Sequence, residues 1–262
     1  MQLEEYVPLE ASEIIFDYDL LSIGESEEQK YEVAVSVFPR TVAEQYQQSL
    51  VAAGFVVTAL EIEAQAIARA VLPVSPKFPR AGRTAIETTL VVDFGKTRTS
   101  FFIVQSGVVV FSSTTAAIGG ESLTTAIQKT LGVDYTEAER LKTERGLLSS
   151  RLDKTILFAM TPIVSVLRDE IYKFYNYWTT HSDKHHRPEP VARIVLCGGQ
   201  ATLPGLVDYL AASLKLEVVL ANVWINILDY QTELPAISFN QSQRYATSLG
   251  LALRSFGHFL TP

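Results

Sequence analysis

The chain is short of several things, and each shortage excludes a class of protein. It holds one cysteine, Cys197, in 262 residues. No internal disulfide or cysteine-built zinc site can form, and the cytoplasm is the expected compartment. Lysine and arginine total 22 against 29 aspartates and glutamates, a formal charge of −7. That balance argues against a general nucleic-acid surface, which needs clustered cations, and leaves room only for a local basic patch. No apolar run approaches the ~20 residues of a membrane-spanning helix, so membrane contact is expected only through a partner. The opening MQLEEYVPLE is acidic, lacks an apolar core and does not read as a signal peptide.

What is present reads as a folded α/β chain. Apolar residues make up 47% and charged residues 19%, enough for one large domain or two modest ones. Residues 12–23 alternate, with Ile14, Phe16, Tyr18 and Leu20 on one face, and predict a strand. YEVAVSVF predicts its hairpin partner. Thr41 and Glu44 predict a capping box, opening a helix that stops at Gly54. FVVTALEI predicts a third strand and EAQAIARAVL a short helix. The Pro- and Gly-rich loop at 75–85 is the expected boundary between units at 1–74 and 86–262.

Beyond it, residues 88–93, 99–105 and 108–115 predict three strands. ESLTTAIQKTLG predicts a helix, and Thr136 with Glu139 a second capping box. Apolar residues from Ile156 to Trp178 recur every three or four positions and predict a long helix over about 151–181. Thr161 is expected to restart it before Pro162. ARIVLC and LEVVLA predict strands around the helix LPGLVDYLAASLK, and QSQRYATSLGLALRSF predicts a closing helix.

Several short motifs carry chemistry, each with a plainer alternative. Asp93-Phe94-Gly95 ends a strand and is followed by Thr97 and Thr99. Such an Asp can hold magnesium through water, and Gly95 lets backbone approach a phosphate. The same residues also suit a hairpin turn. Gly119-Gly120-Glu121 opens a helix, where glycines admit a ligand and Glu121 suits a ribose hydroxyl; a turn with an acidic first-turn residue fits equally. Cys197-Gly198-Gly199-Gln200-Ala201 is a strand-to-helix turn, but neither GxGxxG nor a Walker loop. Glu139 and Lys142, three apart, either face one ligand or pair with each other. His185-His186 has no third ligand at useful spacing.

The order DFGKTRT, IGGESLTTAI, EAERLK, IVLCGGQATLPGL, YATSLGLAL resembles the motif series of the actin-like ATPase superfamily, with its ribonuclease H-like α/β fold. Within it the chain is most similar to the PilM family of type IV pilus assembly, on YVPLEASEIIFDYDLL and RDEIYKFYNYW as well. FtsA-like division proteins and the small-molecule kinases of the superfamily are the alternatives. The resemblance implies ATP and magnesium as cofactors. Asp93 would hold the metal, with Gly95, Thr97 and Thr99 near the phosphates. Gly198, Gly199 and Ala201 would lie by the adenosine and Glu121, Glu139 and Lys142 by the ribose and base, with Gly119 and Gly120 also among the cofactor-binding residues. Glu63 would orient an attacking water. It also implies a partner, the cytoplasmic tail of an inner-membrane PilN-like protein, and a location at the inner face of that membrane.

One departure from the superfamily pattern stands out. Asp-x-Gly occurs only at Asp93, whereas the superfamily uses two such phosphate turns. The sequence therefore leads us to expect an incomplete first large subdomain, weak or absent ATP binding, and an exposed apolar surface in the residue 12–60 region that promotes self-association.

Overall fold

The computed structural model describes residues 10–23, 31–73, 87–105, 107–148, 154–180, 189–228 and 233–257. The chain divides into two compact units, Met1–Glu63 and Ala64–Pro262. The loop at 75–85 and the pair His185-His186 lie outside the described residues.

In the first unit, β1 (Ile14–Ile23) pairs antiparallel with β2 (Tyr31–Pro39), the expected hairpin. Phe16 lies opposite Val37, Tyr18 opposite Val35 and Leu20 opposite Val33, so one face is apolar throughout. Helix α1 (Arg40–Ala52) follows directly. Its N-cap is Pro39, without a side-chain cap, rather than Thr41. Arg40 is already helical, and its guanidinium donates to the Ser12 and Ile14 carbonyls, tying the helix start to β1. The helix ends at Ala52, and Gly54, two residues on, turns the chain with a φ of +87°. Gly54 N donates to Val51 O and Phe55 N to Leu50 O, closing the last turn.

The expected third strand at 55–62 does not form. An apolar run becomes a strand only beside a hydrogen-bonding neighbour, and none of the described strands pairs with it. Phe55 is 63% and Val56 88% exposed. Ile14 is the one buried residue of this unit among those described.

The second unit opens with α2 (Glu63–Val71), its Glu63 being the last residue of the first unit. A five-stranded sheet follows, built from β3 (Thr88–Phe94), β4 (Thr99–Gln105), β5 (Val108–Thr115), β6 (Val191–Cys197) and β7 (Val218–Leu220). The order is β5-β4-β3-β6-β7. The first three strands are an antiparallel meander; β6 and β7 add in parallel. Leu90, Val92, Phe101 and Ile103 are buried on one face, and Val91 and Phe102 on the other. Burial on both faces is why these strands read as continuous apolar runs rather than alternating ones.

One face packs on α3 (Gly120–Leu131), α4 (Tyr135–Arg145), α5 (Thr155–Thr180) and α6 (Leu206–Leu214). Helix α4 is capped by Asp134, which accepts from Glu137 N at 2.9 Å, and not by Thr136. The alternative cap two residues earlier leaves Glu139 available for another role. Helix α5 runs through Pro162 without restarting. Thr161 donates to Leu157 O at 2.7 Å, an internal helical bond rather than a cap. The carbonyl that Pro162 cannot satisfy belongs to Phe158, which is 67% exposed and so open to water. The expected closing helix is broken into α7 (Phe239–Ser242), a turn of 3-10 helix, and α8 (Ala246–Gly257).

Helices α2 and α8 cross at almost backbone contact. A Cβ on Gly250 would overlap the Ala66 carbonyl. Arg69 donates to Gly250 O at 2.8 Å, and Asn226 donates to Arg69 O and Leu72 O at the end of α2.

Candidate functional site

Three of the singled-out motifs meet at one end of β3. The sheet register sets this: Asp93 lies beside Cys197 of β6 and Ser100 of β4. The chain leaves β3 through a tight turn closed by Gly95 N donating to Arg98 O at 3.0 Å. That turn docks on the start of α3. Gly95 O accepts from Gly120 N at 3.0 Å and Lys96 O from Glu121 N at 2.8 Å. From the other side, Gln200 N donates to Phe94 O at 3.0 Å.

The glycines of these motifs are explained by close approach within the protein. A Cβ on Gly119 would lie 2.6 Å from Lys96 O. One on Gly120 would overlap the Gln200 side chain, and one on Gly198 would overlap Asp93 Oδ1. Gly199 differs: its nearest neighbour is Arg244 Cβ at 3.8 Å. The buried Ala201 donates its N–H to Gly198 O, rounding off the loop.

The two threonines behave differently. Thr97 is exposed in the turn. Thr99 is buried and donates to Ile118 O at 2.8 Å. A cleft of about 520 Å³ opens beside the turn, lined by Lys96, Thr97, Glu121, Ser122, Thr125 and Lys129 among others.

Glu139 and Lys142 do pair, at 2.7 Å, but as half of a larger network. The Lys142 ammonium also donates to Thr124 Oγ1 at 2.9 Å and Gly120 O at 3.2 Å. Its three protons have three acceptors. Burial pushes its pKa below the ordinary value, against the opposing pull of Glu139. Partial burial would raise the Glu139 carboxyl, but hydrogen bonds from Lys142 and Thr124 outweigh it and hold the group low. Thr124, four residues after Gly120, is a member that motif reading missed; its place on the same helix face was the available signal.

Lys96 is a second missed member. Its ammonium lies 5.5 Å over the Tyr135 ring. Tyr135, then Glu121 and Glu139, hold its pKa above the ordinary value. Glu63 is exposed at the head of α2, in the other unit. Among the described residues no three His, Cys, Asp or Glu side chains gather as a metal site. A magnesium ion beside Asp93 would therefore rely on water and ligand oxygens.

Comparison with known proteins gives the frame for this geometry. The sequence profile described as "Type IV pilus assembly protein PilM" matches residues 1–256. No curated protein matches by sequence. Among solved structures, the PilM-PilN type IV pilus biogenesis complex aligns with a TM-score of 0.67 at 22% identity, covering 97% of this chain and 69% of that one. The ethanolamine utilization protein EutJ from Carboxydothermus hydrogenoformans aligns at 0.52 with 20% identity, over 80% and 60% of the two chains. MreB 5 of Spiroplasma citri, bound to AMPPNP, aligns at 0.59 with 14% identity, over 85% and 67%. These likenesses establish the actin-like fold. With that fold, and with a family profile that matches nearly its whole length, the chain belongs to the PilM family of type IV pilus assembly proteins.

Proposed function

We propose that this chain is a cytoplasmic scaffold of pilus assembly that holds the N-terminal tail of an inner-membrane, PilN-like protein. The observation that carries the reading is the uncovered apolar face of the β1–β2 sheet. Phe16 is 54% and Tyr18 64% exposed on the face shared with Val33, Val35 and Val37. Both sheet edges are open among the described residues. An extended peptide can add to such an edge through main-chain hydrogen bonds while alternate side chains seat on the apolar face. Burying one aromatic there contributes about 1.5–3 kcal/mol. A complex of PilM with PilN is among the structural neighbours, and no described helix here is long and apolar enough to cross a membrane. The test is fluorescence anisotropy of a labelled peptide from the partner's tail. Micromolar binding that Phe16→Glu abolishes supports the reading; binding indifferent to both Phe16→Glu and Tyr18→Glu sinks it.

The glycine cluster is the second element of the proposal, as a site for ATP and magnesium. Asp93 would hold the ion through water, and Gly95 and Thr97 would face the phosphates. Gly198, Gly199 and Ala201 would pass the adenosine, with Glu121, Glu139 and Lys142 towards ribose and base. When bound, magnesium neutralises phosphate charge. The fit is partial. The Thr99 hydroxyl and the first N–H groups of α3 already have protein partners, and Glu63 is assigned to water by likeness alone. The expected outcome is weak Mg-ATP binding without useful hydrolysis; micromolar affinity by calorimetry would overturn it.

A further inference from the structure

We propose that Gln200 controls ligand access to the glycine cluster, an inference that rests on the nucleotide reading above. Glycines at a helix start serve a ligand only if the space left by the missing Cβ is open. At Gly120 that space is filled by the Gln200 side chain. At Gly119 it is filled by Lys96 O and at Gly198 by Phe94 O, 2.7 Å away, beside the Asp93 carboxylate; these backbone groups cannot leave without dismantling the turn or the sheet end. Gln200 is different in kind. Its main-chain N–H is anchored on Phe94 O, so the loop stays in place whatever the side chain does. The side chain itself is half-buried, and withdrawing it takes only a change of side-chain rotamer.

The rest of the Gly120 peptide is committed. Its N–H goes to Gly95 O and its carbonyl accepts from Lys142. The one face of this peptide that can open is therefore the Gln200 face. Next to it lies Gly199, the one glycine of the cluster with clear space. Rotation of Gln200 would join the two into a continuous glycine-lined surface for a nucleoside phosphate. In the observed arrangement any such ligand must first displace the amide, which lowers affinity by the cost of that displacement.

The experiment is calorimetry and thermal unfolding of the whole chain with Mg-ADP, for the unsubstituted protein, Gln200→Ala and Gln200→Met. Methionine keeps the bulk, so it separates obstruction from hydrogen bonding. Gln200→Ala is expected to bind at least about tenfold tighter, and Gln200→Met to bind like the unsubstituted chain. Ligand-dependent rises in the unfolding midpoint should follow the same order. Gln200→Ser replaces the alanine variant if circular dichroism shows that it fails to fold. An alanine variant that binds no tighter removes the gate alone. No binding by any variant at millimolar ligand overturns the nucleotide reading, and the gate with it.

Discussion

The Lys142 ammonium lies 2.7 Å from Glu139 Oε2 while being only 2% exposed. A buried cation is tolerated only when every proton has an acceptor, and here Thr124 and Gly120 O supply the other two. This one side chain joins α4 to the first turn of α3. Lys142→Met keeps much of the volume and removes all three bonds. The expected cost is about 1–3 kcal/mol, read as a lower midpoint in urea and thermal unfolding. An unchanged midpoint would show that the network is not structural.

The same pair gives a pH dependence with a definite sign. The Glu139 carboxyl is held below its ordinary value of 4.5 in the folded chain. Between the folded and unfolded values the unfolded chain binds the extra proton, so stability rises with pH there. The contribution is complete above the unfolded value and is lost as pH falls through the folded one. Acid unfolding of Glu139→Gln should therefore be less steep than that of the unsubstituted chain. Equal slopes would refute the assignment.

Gly250→Ala should be among the most damaging single-methyl changes in the chain. The new Cβ would overlap the Ala66 carbonyl at the α2–α8 crossing, where backbone meets backbone. The two helices must separate, losing the Arg69 bond to Gly250 O as well. Gly132→Ala is the control. Unlike Gly250 it has a positive φ, +67°, but nothing within 4 Å, so its cost is about 1 kcal/mol of backbone strain. Expression level and unfolding midpoint should separate the two variants clearly.

The exposed apolar residues of the first unit should make the isolated chain self-associate. Phe16, Tyr18, Phe55 and Val56 are each more than half exposed. Light scattering across a concentration series should show growth in mass, reduced by the pair Phe16→Glu and Val56→Glu. A strictly monomeric chain at high concentration would count against this.

Much of the second unit was legible, because its strands carry unbroken apolar runs and α5 keeps its period over seven turns. The caps were not. Thr41, Thr136 and Thr161 each match a capping pattern, yet Pro39, Asp134 and an uninterrupted helix take those places. A cap is decided by which residue first leaves helical geometry, and neighbouring hydroxyl and acidic residues compete within one turn. FVVTALEI has strand composition but no partner strand among the described residues, and pairing is not a local property. At the site, the motifs of the sequence meet at one end of β3, but the sequence does not show which atoms fill the space beside their glycines. Gln200 over Gly120 and Lys96 over Tyr135 join residues 80 and 39 positions apart, contacts that exist only once the chain has folded back on the end of β3.

Strand β3 has partners on both sides, antiparallel β4 and parallel β6, and so lies in the middle of the five-stranded order. The amides of a central strand exchange with solvent only when the unit opens globally, whereas side chains beyond its end rotate on far shorter timescales. The platform beneath Asp93 is therefore slow and the groups above it are fast. Any response of this region to a ligand or partner has to begin with side chains such as Gln200 and Lys96, over a sheet that stays still.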